Sequence, residues 1–201
     1  MMYAGENTMV VEDALSRINS IIERKPLEQT ADKKHPADTS ITFENVSFRY
    51  PGAANDALHD VSLKINAGEQ VAFVGPSGGG KTTLARLIAR FADVTEGNIL
   101  IGGVNVKNID EKELMDTVSF VFQDSHLLKM SILDNVRMGN KNATRQEVME
   151  ALKNAQCDDI IEKLPDGIDT VIGSKGTYMS GGEAQRIAIA RAMLKNSPIL
   201  I

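Results

Sequence analysis

The alternation of apolar and polar residues divides the chain into three zones. In the first, Val11, Ala14, Leu15, Ile18, Ile21 and Ile22 recur at helical spacing, which predicts a helix from Val11 to about Arg24 with one apolar face. Glu12, Asp13, Arg17, Asn19 and Glu23 fall mostly on its other side. The stretch from Lys25 to Thr39 is polar, contains Pro26 and Pro36, and reads as a linker. From Ser40 the residue types change. Ile41, Phe43, Val46 and Phe48 are mostly strand formers, as are Val61, Leu63 and Ile65, with Pro51-Gly52 and Ala67-Gly68 as turns. Val71–Val74 reads as a buried strand, followed by a glycine-rich loop and a helical pattern from Lys81 to Phe91. Strands at Ile99–Ile101 and Val118–Phe122 complete the sheet material, and this alternation with helices predicts an α/β domain.

The third zone, about residues 125–178, is predicted helical. Ser131 is placed to cap a helix over Ile132–Val136. Thr144 is placed to cap a second, with Glu147 at capping-box spacing. A further helix is expected from Gly182 to Leu194, and Pro198–Ile201 opens a strand.

Composition narrows the class without naming a function. The 201 residues suffice for one sizeable domain, with 42% hydrophobic and 24% charged residues. The net charge of −5 and the absence of a basic stripe argue against a nucleic-acid partner. The one cysteine, Cys157, excludes an internal disulfide and reads as a small buried apolar residue. His35, His59 and His126 are isolated and suggest no metal site, and Met130 and Met138 read as core packing, with gap-filling at a partner surface as the alternative. There is no apolar run of membrane-spanning length and no secretory signal pattern near Met1.

The strongest chemical signal is Gly75-Pro76-Ser77-Gly78-Gly79-Gly80-Lys81-Thr82-Thr83. It satisfies G-x-x-x-x-G-K-[ST] and lies between a predicted strand and a predicted helix, where the phosphate-cradling loop belongs. Glycines let backbone N–H groups converge on phosphate oxygens, and the helix start adds positive potential. Lys81 would sit between the β- and γ-phosphates, and the Thr82 hydroxyl would ligate Mg²⁺. The bland alternative is a flexible glycine loop with a surface lysine. The loop indicates nucleotide binding and does not separate a transporter motor from a kinase or a GTPase.

Three further motifs, together with this loop, carry a resemblance. Tyr178-Met179-Ser180-Gly181-Gly182-Glu183-Ala184-Gln185-Arg186 resembles the ABC signature LSGGQ, with Met179 for leucine and Glu183 for glutamine. Taken alone, it could be a Ser-Gly-Gly turn capping a helix. Gln123, in Val121-Phe122-Gln123-Asp124, resembles the family's Q-loop, and alone it could be an exposed glutamine at a strand end. Tyr50 matches the family's adenine-stacking aromatic, and alone it could be a partly buried strand-end tyrosine. All four motifs occur in family order over about residues 41–201, so the chain is similar to the ATP-binding domain of ABC transporters.

The resemblance implies a P-loop NTPase core with an N-terminal antiparallel β subdomain and a helical subdomain. Residues 1–39 would form a helix and linker near a membrane domain. Residues 40–201 would form the ATP-binding domain, with its helical subdomain at about 125–180. ATP and Mg²⁺ are the implied cofactors. Gly75, Ser77, Gly78, Gly79, Gly80, Lys81, Thr82 and Thr83 would hold the nucleotide of one domain. Ser180, Gly181, Gly182 and Glu183 would meet the ATP held by an opposing domain. Gln123 would sense Mg²⁺ and the attacking water.

The N-terminal helix, the strand Ile41–Tyr50 and Ser131–Val136 look exporter-like. This implies membrane helices upstream of Met1, a second ATP-binding domain as partner, and a location on the cytoplasmic face of a membrane. For the N-terminal helix, a simple packing or dimer helix is the alternative. One departure stands out: Thr170-Val171-Ile172-Gly173 is followed by Ser174 and Lys175 where many exporters carry an acidic residue, which puts the usual contact with the partner's coupling helix in doubt. In the family, the strand beginning at Pro198 leads to the Walker B aspartate and glutamate. Both are expected beyond Ile201, so the segment as it stands is expected to be inactive and unstable. A soluble ABC ATPase and a non-hydrolysing ATP-binding regulatory module are the rival readings.

Overall fold

The computed structural model describes residues 3–23, 26–173 and 178–201. These fall into two compact units, Met1–Thr30 and Ala31–Ile201. The first unit holds α1 (Tyr3–Ile22), which begins before the apolar stripe because the preceding residues extend a helix once it is nucleated. The stripe itself is open to solvent within the described residues: Val11, Leu15, Ile18 and Ile22 are all exposed. Arg24 and Lys25 lie outside the described residues.

The second unit takes in most of the predicted linker. Lys34 N–H bonds the Asn108 carbonyl at 2.8 Å, Ala37 N–H bonds the Gly102 carbonyl at 3.1 Å, and Gly102 N–H bonds the Ser40 carbonyl at 2.8 Å. His35 Nδ1 lies 2.8 Å from the Glu113 carboxylate, so this histidine is not isolated.

An antiparallel sheet follows in the order β2-β1-β3-β4, with β1 at Ile41–Phe48, β2 at Leu58–Ile65, β3 at Glu96–Ile101 and β4 at Val104–Asn105. The inward residues of β1 change from odd positions (Ile41, Phe43) to even ones (Val46, Phe48) because the register shifts between Phe43 and Val46. Asn45 has a left-handed φ of 48° at this bulge. Opposite it, a Cβ on Gly97 would overlap the Glu44 and Asn45 carbonyl oxygens, so a side chain has no room there. The predicted Ile99–Ile101 strand is therefore longer. It pairs antiparallel with β1 and lies outside the parallel sheet.

Helix α2 (Lys81–Ile88) adds Leu84, Leu87 and Ile88 to the core formed with Phe43, Val46, Ile99 and Ile101. It stops short of the predicted Phe91 because Arg90 turns left-handed, at φ 53°. Phe91 instead stacks on Phe122 at 5.6 Å and meets Phe120 edge-on at 5.4 Å.

Helix α3 (Glu111–Thr117) leads into β5 (Val118–Ser119), which pairs in parallel with β6 (Ile199–Leu200). Val121 N–H extends this ladder to the Ile201 carbonyl at 2.8 Å. Val71–Val74, predicted as a buried strand, takes no part in a ladder, and Val71 and Val74 are 47% and 93% exposed. Val71 and Phe73 instead face Ile199–Ile201 across a cleft of about 600 Å³. Apolar character alone does not make a strand, which also needs a backbone partner on its edge.

The helical zone builds a second core from α4 (Ile132–Arg137), α5 (Arg145–Asn154), α6 (Asp158–Ile161) and α7 (Gly181–Lys195). Ser131 and Thr144 cap α4 and α5 as expected, Thr144 through a full capping box with Glu147. Cys157 is fully buried, and burial pushes its thiol up to about 11. Met138 departs from its expected core position. As the C-cap of α4 it sits on the rim of a cleft and is 47% exposed, whereas Met130 is half-buried. Lys195 ties α7 to the sheet by donating to the Val118 carbonyl at 2.9 Å and to the Met115 carbonyl. The whole is an α/β architecture with an antiparallel β subdomain, a P-loop core and a helical subdomain.

Candidate nucleotide-binding site

The glycine loop ends on α2, and its backbone explains its composition. Gly78 and Gly80 both have φ of 79°, a conformation that glycine adopts without strain. A Cβ on Gly80 would stand 2.6 Å from Leu58 Cδ2 and 2.7 Å from the Ala57 carbonyl, so β2 packs directly against the loop. Around Gly75 and Gly78 a Cβ would meet nothing within 4 Å, which leaves the mouth of the loop open. Helices α3, α4, α5 and α7 carry side-chain caps at their N-termini, whereas Gly80 gives α2 none. The first N–H groups of α2 therefore remain available to an anion.

Lys81 folds back over this loop, donating from Nζ to the Gly75 carbonyl at 3.0 Å and to the Pro76 carbonyl at 2.6 Å. Both acceptors belong to the loop, so the ammonium is already held where phosphate oxygens would compete for it. Ser77 and Thr82 are exposed, and each is free to turn its hydroxyl toward a ligand. Thr83 is buried and its Oγ1 lies 3.0 Å from the Tyr50 hydroxyl. Tyr50, just past β1, meets Phe48 edge-on at 4.8 Å and keeps 42% exposure. The structure thus brings Tyr50 to the phosphate-loop helix. The donor set fits a polyphosphate: open glycine amides, an uncapped helix start and one ammonium. The Thr82 hydroxyl is a hard oxygen donor of the kind Mg²⁺ takes.

Gln123 lies beyond the β5 ladder, in an exposed bend, and not at a strand end as expected. The reason is local: the last ladder bond is made at Val121, and Ser125 Oγ then donates to the Phe122 carbonyl at 2.8 Å, turning the chain. No hydrogen bond joins Gln123 to Lys81 or Thr82 among the described residues.

Ser180 caps α7. Its Oγ accepts from Glu183 N–H at 3.3 Å, while the Glu183 carboxylate accepts from Ser180 N–H at 2.8 Å. The Ser180 backbone N–H first, and the Ser180 hydroxyl second, hold the Glu183 carboxyl below the usual carboxylate range. Gly181 and Gly182 are exposed, and a Cβ on either would meet nothing within 4 Å, so nothing crowds this turn. Met179 packs against the second core and Tyr178 is exposed. Ser174 and Lys175 lie outside the described residues. Helix α2, which follows the phosphate loop, packs in the first core, and Met179 and helix α7 pack in the second. Among the described residues no hydrogen bond or ion pair connects the two motifs.

Sequence reasoning missed the brace behind this helix. Arg186 forks onto Asp159, with bonds of 2.6 and 3.1 Å, and also donates to the Gln156 carbonyl. Its guanidinium holds the Asp159 carboxyl below its ordinary range. Spacing within a helix cannot reveal a partner 27 residues away.

Comparison with known proteins agrees with this layout. A family profile described as ABC transporter matches residues 58–201. The chain is 47% identical over 161 residues to the putative multidrug export ATP-binding/permease protein YgaD of Bacillus subtilis, covering 80% of this chain and 28% of that protein. It is 46% identical to the ATP-dependent lipid A-core flippase of Methylobacillus flagellatus, covering 82% of this chain and 28% of the flippase. A solved structure of a bacterial Atm1-family ABC exporter with ATP bound superposes with a TM-score of 0.83 at 40% identity, over 94% of this chain and 33% of the exporter. The chain thus spans about a third or less of the length of these relatives, all of which are exporter-type proteins. With the phosphate loop, the capped Ser-Gly-Gly helix and the profile match in register, the chain belongs to the ABC transporter family.

Proposed function

We propose that this chain is the ATP-binding and ATP-hydrolysing motor domain of an exporter-type transporter, working on the cytoplasmic face of a membrane beside transmembrane domains of the same protein. The observation that carries this reading is the uncapped start of α2, with Lys81 poised over a glycine loop that has no room for side chains at Gly80 and open space at Gly78. Lys81 and the loop amides bind the β- and γ-phosphates, and Tyr50 offers its face to adenine. Thr82 and Gln123 supply oxygen donors toward Mg²⁺, which when bound neutralises phosphate charge. Gly181 and Gly182 stand uncrowded at the start of a helix that packs in the second core, which suits a phosphate presented by another copy or a paired domain. ATP then bridges two domains head to tail, and closing the pair moves the membrane domains.

Gly181→Ala in the full-length protein tests this, with Lys81→Ala beside it. Beyond its own turn of helix, a methyl at residue 181 meets nothing within 4 Å, and alanine suits a helix better than glycine, so folding should hold. ATP turnover is expected to fall at least tenfold, by loss of about 1.4 kcal/mol or more at the transition state, while ATP still binds the loop. Lys81→Ala is expected to lose ATP binding itself. Wild-type turnover in the Gly181 variant, or wild-type ATP affinity in the Lys81 variant, would overturn the assignment of the corresponding motif.

A further inference from the structure

The first turn of α7 departs from the family's glutamine at Glu183, and the structure shows what the carboxylate does there. A helix start leaves its first N–H groups without helical partners. In α7, Glu183 takes the Ser180 N–H at 2.8 Å and Ser180 Oγ takes the Glu183 N–H at 3.3 Å, which leaves the amides of Gly181 and Gly182. A carboxylate therefore already occupies the electropositive end at which a phosphate would arrive. Resting on the reading that Ser180–Gly182 meets an ATP phosphate, we propose that Glu183 is an internal competitor for that phosphate and sets the ATP affinity of this motif.

Two further observations support this. The α5 start carries the same device: Thr144 N–H bonds the Glu147 carboxylate at 2.7 Å. There the next two residues are Arg145 and Gln146, so that box serves only the helix. In α7 the corresponding residues are glycines facing open space, so the anion held by the box borders the surface a ligand would approach. The charge is also left without an ion pair of its own among the described residues. Among the described residues the cations that act on it, Lys163 and Arg186, both engage Asp159, at 3.8 and 2.6 Å. Burial does not hide the carboxylate, and its depressed pKa keeps it charged at neutral pH.

An incoming phosphate thus meets like charge and must share or displace Glu183 from the Ser180 N–H. Glutamine at this position would hold the same N–H through a neutral oxygen. Glu183→Gln in the full-length protein is expected to lower the half-saturating ATP concentration by about threefold to tenfold at low ionic strength, as removal of one unit charge a few ångströms away through water-rich surroundings requires. The advantage should shrink toward one in high salt, where charges are screened within about 3 Å at 1 M. A purely structural role predicts the opposite: a weaker cap, a lower melting temperature, and ATP saturation that is unchanged or poorer at every salt concentration. Glu147→Gln serves as the control, expected to alter melting and leave the ATP dependence unchanged. Equal or weaker ATP saturation in Glu183→Gln, or a salt-independent ratio, overturns the proposal. If Ser180→Ala lowers turnover while Glu183→Gln is silent, only this proposal fails. If Ser180→Ala is also silent, the phosphate reading of the motif falls with it.

Discussion

The hydroxyl of Tyr50 lies 3.0 Å from that of Thr83, binding the aromatic beyond β1 to the first turn of α2. Thr83 is 7% exposed, so this contact also satisfies a hydroxyl that water hardly reaches. One bond therefore links the ring proposed to stack on adenine to the helix whose start is proposed to bind phosphate.

Tyr50→Phe separates the bond from the ring. It keeps the stacking face but leaves the Thr83 hydroxyl without this partner, at a cost of about 1 kcal/mol in stability. Tyr50→Ala removes the ring as well, and stacking of a base on an aromatic is worth about 1–3 kcal/mol. ATP affinity should fall little in the first variant and about fivefold or more in the second. Inorganic tripolyphosphate, which has no base, should bind both variants as it binds the wild type. Loss of tripolyphosphate binding in Tyr50→Ala would show that Tyr50 shapes the loop instead of stacking.

The parts of this fold legible in the sequence are those fixed by local chemistry. The caps at Ser131, Thr144 and Ser180 act over three residues, and the glycine loop declares its backbone through Gly78 and Gly80. The inward face of β1 was also readable, although its change of parity needed the bulge at Asn45. What was not legible depends on partners distant in the chain. The apolar run Val71–Val74 looks like a buried strand, but pairing decides that, and pairing is a property of the neighbour. The Tyr50–Thr83 and Arg186–Asp159 contacts likewise span 33 and 27 residues. Nothing local marks Asn135, a polar residue inside the short helix Ile132–Val136, as wholly buried.

Asn135 is a hub between α4, α7 and the segment before α4. Its Oδ1 accepts from Leu128 N–H at 2.9 Å and from Arg191 Nη2 at 3.2 Å. Its Nδ2 donates to the Leu128 and Ser131 carbonyls, both at 3.0 Å. Asn135→Leu keeps the branched shape and removes every side-chain bond: the Leu128 N–H loses its partner, and Arg191 keeps only its Nε bond to the Asn135 carbonyl. Each of these two groups costs about 1–3 kcal/mol, so a loss of about 2 kcal/mol or more in urea unfolding is expected. A loss below about 1 kcal/mol would mean that the neighbours re-form their bonds without it.

Acid should loosen the domain through carboxylates that the fold keeps charged. Asp159 is held low by Arg186, Asp169 by Arg145, Asp56 by Arg49, and Glu147 by the Thr144 backbone. A carboxylate whose folded pKa is depressed stabilises the fold above its unfolded value, about 3.9 for Asp and 4.3 for Glu, and loses that contribution as pH falls through the folded value. The melting temperature should therefore change little from pH 7 to about 5 and fall below about pH 4. Asp159, Asp169 and Glu147 are exposed and Asp56 is half-buried, so high salt should weaken each contribution, that of Asp56 least. Asp159→Asn isolates one of them. It cannot accept the Arg186 fork as an anion, so it should melt lower than wild type at pH 7, and the gap should close in acid as pH falls through the lowered pKa of Asp159 and the wild-type carboxylate becomes neutral. A gap of constant size across that range would assign the Asp159 contribution to packing of its side chain and not to its charge.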